Sequence, residues 1–308
     1  MDVNRLELLR ELAQRGSITA VARATNRTAS AVSQQLKVLE REAGVALTER
    51  RGRGIELTGA GRVLAQTAAD VAIAIERADA VWEDFKHAPR GEVSLSIFES
   101  GGQMLLPGVM TDIATVPGLE LRCDDGAPAS TDFSDRVADF DIVVADSSGI
   151  LPSWRERGLA VVPLFTEPLD VVLPEDHPLA AKRSLSPKDV ADENWIGVPV
   201  DYPFDRILVD ISAIVGRSLN VTQRLRDNGI VEAVVAGGHG LAILPRYTTR
   251  EHENGLVTRP LVGVRSERLV SILMRPDRAQ RPSVRRVVEA LQREAARLEK
   301  QHSRPDPR

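Results

Sequence analysis

Apolar positions in the first sixty residues recur at helical spacing between short polar breaks. Leu6, Leu8, Leu9 and Leu12 alternate with charges over residues 4–14, which predicts a first helix. Gly16 ends it, and Ser17 is placed to cap a second helix from Ile18 to Thr25. Thr28 caps a third, running to about Ala43 and stopped at Gly44. Within this third helix Val32, Leu36 and Leu39 face inward at spacings of four and three, which leaves Ser30, Ser33, Gln34 and Lys37 on the outer face. Val45–Arg50 and Gly54–Leu57, separated by Arg51-Gly52-Arg53, read as two short strands of a wing.

Thr58 then caps a long helix from about Ala60 to His87. Its apolar residues Leu64, Ala68, Val71, Ile75, Ala78, Trp82 and Phe85 are spaced 4-3-4-3-4-3. That is a heptad seam, and a seam calls for a partner helix. The seam residues other than Ala68 are the candidate dimerisation set; the alternative is a single helix packed on its own domain.

Beyond the linker Pro89-Arg90-Gly91 the pattern changes to strands alternating with helices. Strands are predicted at Val93–Ile97, Leu119–Arg122 and Asp141–Ala145, with a helix between the first two reaching about Thr115. A second set begins near Pro168: strands at Leu169–Leu173, Trp195–Val198, Val221–Arg226, Leu241–Leu244 and Leu256–Arg259, and helices near 204–216 and 229–237. Leu269–Met274 is a last strand, and Val284–Gln301 an amphipathic helix before a disordered polar tail. This order indicates an α/β fold with a mostly parallel sheet wrapped by helices.

Composition sharpens this picture in three places. With 43% hydrophobic and 27% charged residues in 308, the chain suits two or three ordinary globular domains without a membrane-spanning run, and a cytoplasmic location is expected. Cys123 is the only cysteine, so it reads as an ordinary strand residue, and no His pair or Cys cluster suggests a metal. The charge is uneven: residues 1–62 carry 11 Lys/Arg against 7 Asp/Glu, whereas residues 63–264 carry 17 against 31. The positive N-terminal part favours phosphate contact, and the acidic middle should sit away from it.

Two short helices with a tight turn, the second lined with hydroxyl, amide and basic side chains, make a probe that fits the DNA major groove. Ser30, Ser33 and Gln34 are candidates for base readout, with Thr28 and Arg27 beside them. Lys37, Arg51 and Arg53 are better suited to phosphates.

The chain thus resembles a LysR-type transcriptional regulator over nearly its whole length. The residues that carry the resemblance are Gly16-Ser17-Ile18-Thr19, Ser33-Gln34-Gln35-Leu36 through Leu39-Glu40, and Leu57-Thr58-Gly59-Ala60-Gly61. Farther on, Val234-Val235-Ala236-Gly237-Gly238-His239-Gly240-Leu241-Ala242-Ile243-Leu244-Pro245 is similar to the family's late signature. The resemblance implies a winged helix-turn-helix at 1–58, a linker helix at 59–88 and a periplasmic-binding-protein-like effector domain at 91–302. In that domain, lobe 1 would span about 91–163 and 267–302, and lobe 2 about 164–266. It also implies double-stranded promoter DNA and a small-molecule effector as partners, a homodimer or homotetramer, and no cofactor. The chain departs from the family at Thr25, Arg27, Ala29 and Thr48; Ala29 replaces a Gln that reaches a base edge with a methyl group.

A two-lobed α/β domain binds its ligand where strand ends and helix N-termini converge. Ser100-Gly101-Gly102 follows a strand and opens a helix, so it reads either as a carboxylate cradle or as an ordinary cap and turn. Asp146-Ser147, Asp201 and Asn228 lie on other loops expected at the cleft; Asn228 also reads as an N-cap. Glu99, Asp146 and Asp201 bring carboxylates and no obvious cation, which would favour an amino acid or amine. The acids alternatively cap helices or face solvent.

An enzyme finds little support, because no phosphate loop with its Lys and no Ser–His–Asp motif is visible. A sensor protein whose N-terminal helices only dimerise is the other rival, and the basic reading face argues against it.

Overall fold

The computed structural model describes residues 1–51, 54–85, 89–126, 133–200, 202, 204–250 and 255–302, with the backbone alone at 54 and 83–85. The polar tail at 303–308 lies outside the described residues.

The N-terminal unit is built from α1 (Val3–Arg15), α2 (Ile18–Ala24), α3 (Ala29–Ala43), β1 (Thr48–Arg51) and β2 (Gly54–Leu57). Local chemistry sets its punctuation as the sequence indicates. Ser17 Oγ accepts from the Ala20 N–H and Thr28 Oγ1 from the Ala31 N–H, while Gly16 and Gly44 close their helices in the left-handed conformation. Leu8, Leu9, Leu12, Val21, Val32, Leu36 and Leu39 form a shared core with Leu47, Leu57 and Ala65. The first wing strand begins at Thr48, not Val45, because Ala46 O and Leu47 O are taken by Thr58, whose own hydroxyl caps α4 (Gly59–Phe85). Gly61 is required at this junction: a Cβ there would lie 2.0 Å from Leu47 O.

The second unit contains β3 (Gly91–Ile97), α5 (Glu99–Ile113), β4 (Leu119–Asp124), β5 (Ile142–Ser147), α6 (Pro152–Glu156) and β6 (Ala160–Pro174). It continues with β7 (Asn194–Gly197), α7 (Asp205–Val215), β8 (Asn220–Arg224), α8 (Asn228–Ala236), β9 (Ala242–Pro245), β10 (Leu256–Arg259), β11 (Glu267–Met274) and α9 (Pro282–His302). The main sheet runs β10-β6-β11-β5-β3-β4, with β9 also on β6. Here the expectation of a mostly parallel sheet fails. β3 is parallel to β4 and β5, but β11 is antiparallel to β5 and β6, and β9 and β10 are antiparallel to β6.

The cause is β6, fifteen residues long where the sequence suggested five. Residues 160–168 pair with β11, and residues 169–174 pair with β9 and β10, so one strand serves two cores. One core gathers Leu95, Ile97, Leu105, Val144, Trp154, Ile272 and Leu291; the other gathers Leu169, Leu173, Trp195, Ile211 and Leu241. The 163/164 boundary expected between lobes therefore falls inside a continuous strand.

Candidate nucleic-acid interface and effector cleft

Burying Val32, Leu36 and Leu39 of α3 turns its opposite side to solvent. Arg27, Thr28, Ser30, Gln34 and Lys37 are all exposed, and Ser33 is half-buried. Ser30, Gln34 and Lys37 recur at four and three residues, and exposed Arg41 extends their stripe by another turn, which the sequence reading missed. The Thr28 and Ser30 hydroxyls lie 3.1 Å apart in a hydrogen bond.

The wing stands beside this face because Glu40 anchors it. One Glu40 carboxylate oxygen accepts from the Leu47 N–H, the Thr48 N–H and the Thr48 hydroxyl, at 3.0, 2.9 and 2.9 Å. The hydroxyl of Thr48, a departure from the family pattern, thus has a partner. On the wing, Arg51 donates to Glu56 at 2.9 Å, and that hydrogen bond raises its pKa further above an already high value. Glu49 and Glu56 sit directly opposite each other in the hairpin, and the Arg51 side chain stays 77% exposed in this surface pair. Arg53 lies outside the described residues.

The candidate dimerisation seam of α4 divides in two. Leu64 packs against the winged-helix core and Ala68 is buried, so the first turns are occupied within the chain. Val71 is half-buried, whereas Ile75, Ala78 and Trp82 are exposed, Trp82 at 59% beside Val81 at 71%. The side chain of Phe85 lies outside the described residues.

In the second unit the expected absence of a cation is corrected. Arg268, on β11 and 3% exposed, holds Glu167 of β6, which is fully buried, through Nε at 2.7 Å and Nη2 at 2.6 Å. The same guanidinium donates to Ser100 Oγ at 2.9 Å and lies 3.4 Å from Asp146 Oδ2. Its Cζ lies over the Phe98 ring at 4.8 Å and over the ring of Phe204, just before α7, at 5.4 Å. Residues from both cores thus meet around one buried cation. The sequence reading began the strands at Leu169 and Leu269, one or two residues beyond Glu167 and Arg268. A charge flanking a predicted strand was the signal that could have found them.

Ser100 and Gly101 are buried in the first turn of α5, where Gly101 is needed because a Cβ would come within 2.7 Å of the Phe98 ring. Asp146 and Ser147 end β5 and are not in a loop; Ser147 Oγ donates to Gly149 O at 2.8 Å. Asn228 is the first residue of α8, and the cap is Asp227, accepting from the Ile230 N–H at 2.8 Å. Asp201 lies outside the described residues, and Glu99 is exposed. Cys123 sits half-buried on β4, where burial pushes its thiol pKa up and makes it a weak nucleophile. Among the described residues, no group of three His, Cys, Asp or Glu could hold a metal ion, and no helix is long and apolar enough to cross a membrane.

Comparison with known proteins finds a family match for each of the two parts of the chain. The family described as bacterial regulatory helix-turn-helix protein, lysR family, matches residues 3–62, and the LysR substrate binding domain matches residues 86–296. The transcriptional regulator MetR of Salmonella typhimurium is 28% identical over 267 residues, which is 85% of this chain and 81% of the relative. Full-length OxyR from Pseudomonas aeruginosa superposes with a TM-score of 0.61 at 20% identity, over 95% of this chain and 98% of that one. Full-length CbnR in complex with its target DNA superposes at 0.52 and 20% identity, over 96% and 100%. These structural likenesses concern the fold.

Proposed function

The chain belongs to the LysR family of transcriptional regulators, with a helix-turn-helix and a substrate-binding domain, and we propose that it reads a promoter with α3 and tunes that reading with an amphoteric effector. The proposed division is a DNA-binding domain at 1–58, a linker helix at 59–88 and an effector domain at 91–302. Ser30, Ser33 and Gln34 take the base edges with Thr28 and Arg27 beside them; Lys37, Arg51 and Arg53 take phosphates. Exposed Ile75, Ala78 and Trp82 give α4 an apolar stripe for a second copy, and a homodimer presents two half-sites.

The observation that carries the effector reading is the cluster around Arg268. One guanidinium faces two carboxylates, Glu167 and Asp146, so the cluster holds an excess negative charge. Asp146, the more loosely held at 3.4 Å, is the natural partner for a ligand ammonium. A ligand carboxylate would meet the Ser100 hydroxyl and the first turn of α5. An amino acid or related amine satisfies both ends. Because Phe98 and Phe204 flank the cluster from the two cores, a ligand here binds one lobe arrangement better than another.

Calorimetric titration of the full chain with an amino-acid panel tests this. At least one is expected to bind, and Asp146→Asn is expected to weaken it at least tenfold. Tight binding of a purely dianionic ligand, unaffected by Asp146→Asn and Asp201→Asn, would sink the amphoteric reading.

A further inference from the structure

The reading head is seated on the effector domain of its own chain through buried charges. Arg275, just beyond β11, donates to Glu11 of α1 at 2.8 Å and to Asp277 at 2.9 and 3.2 Å. Arg10 of α1 approaches Asp277 at 3.0 Å. Arg15 extends the chain of charges, donating to Glu11 at 2.6 Å, to Asp139 at 2.7 Å and to the Ala138 carbonyl at 2.8 Å. The inner four, Arg10, Glu11, Arg275 and Asp277, are only 6, 5, 4 and 5% exposed and balance in charge.

Such a seat fixes an angle without gripping hard. Separating it returns four charges to water, which offsets much of their mutual attraction, whereas removing one member while seated strands its partners. Apolar packing is also incomplete: a cavity of about 490 Å³ lies between α1, α4 and the effector domain, lined in part by Leu57, Ala65, Ile73, Val137 and Leu159. A polar interface beside a partly open cleft is specific in geometry and cheap to open. It does not mask the reading face, because Ser30, Gln34 and Lys37 remain exposed while it is closed. The same strand that ends at this seat begins at the cleft: Arg268 and Arg275 are seven residues apart, roughly 23 Å of extended chain.

We propose that the Arg275–Glu11–Asp277–Arg10 seat aims the winged helix relative to lobe 1 of the same chain, with β11 linking it to the cleft, so that it sets which half-site spacing the dimer accepts. This rests on the DNA-binding reading above. Breaking the seat should leave the affinity for one half-site unchanged and relax the spacing rule.

Small-angle scattering of the full chain, followed by binding to its selected operator with half-site spacing varied, tests the proposal. Glu11→Gln and Arg275→Met are expected to increase the maximum dimension. They should also flatten the spacing preference, with at least a fivefold loss at the best spacing. Asp139→Asn, at the exposed rim, should act weakly in the same direction and cannot be dismissed as a folding failure. Variants whose scattering and spacing profile match the unsubstituted chain would overturn the proposal, as would opening without any change in spacing preference. If the unsubstituted chain selected no operator, the functional reading would fall, and scattering alone would decide whether the seat exists.

Discussion

Single residues decide where the reading head points. Glu40 is the clearest case, since one carboxylate oxygen organises the turn from α3 into the wing. Glu40→Ala leaves two backbone N–H groups and one hydroxyl without their partner, and a loss of about 1–3 kcal/mol in stability is expected. Thermal unfolding of the variant checks this, and an unchanged transition would mean that water replaces the carboxylate at no cost. Gly61 matters for the opposite reason, because space is absent where a Cβ would go. Glu40 and Gly61 both stand in the sequence motif that carries the family resemblance. Arg268 and Glu167 do not, so the cleft shows no obvious cation in the sequence. Their partnership joins residues 101 positions apart, a pairing that no local pattern records.

Elements were legible where their periodicity is local. The capped helices of the winged unit follow from Ser17, Thr28 and the glycines that close them. The long strand β6 was not legible, because Pro163 and Pro168 interrupt its pattern and it changes pairing partner midway. The heptad seam on α4 is divided: Leu64 at its start packs on the winged unit's own core and Ala68 is buried, while Ile75, Ala78 and Trp82 stay exposed. Between α5 and α9, which share an apolar core, an ionic tie is added: Asp112 receives Arg286 and Arg293, and these hydrogen bonds lower its pKa to about 2. An unfolded Asp titrates near 3.9, so the stabilisation is present above about pH 4 and lost as pH falls towards about 2. Asp112→Asn should therefore shrink the fall in melting temperature between pH 4 and pH 2. An identical fall in both proteins would mean that the tie contributes nothing. Asp189, lowered to about 2 mainly by Lys182, keeps part of the slope in either case.

At the scale of the whole molecule, charge is distributed by task. The N-terminal residues 1–62 are net positive and the middle is strongly negative, a distribution that draws phosphates to the winged unit and away from the effector domain, while Arg275 and Glu11 of α1 join the winged unit to that domain. The order of domains was readable from where periodicity changes near Pro89-Arg90-Gly91. Their mutual seating was not, because Glu11 and Arg275 read separately as surface charges on a helix and after a strand. Sequence reading by α3 is tested most directly by selection of genomic fragments by the purified chain, followed by affinity measurements over a salt series. The expected result is one enriched sequence with two half-sites. Gln34→Ala should relax discrimination at a base position by roughly tenfold, and Lys37→Ala should weaken all sites alike and reduce the salt slope by about one. Fragments enriched for no sequence, or binding indifferent to both substitutions, would contradict it.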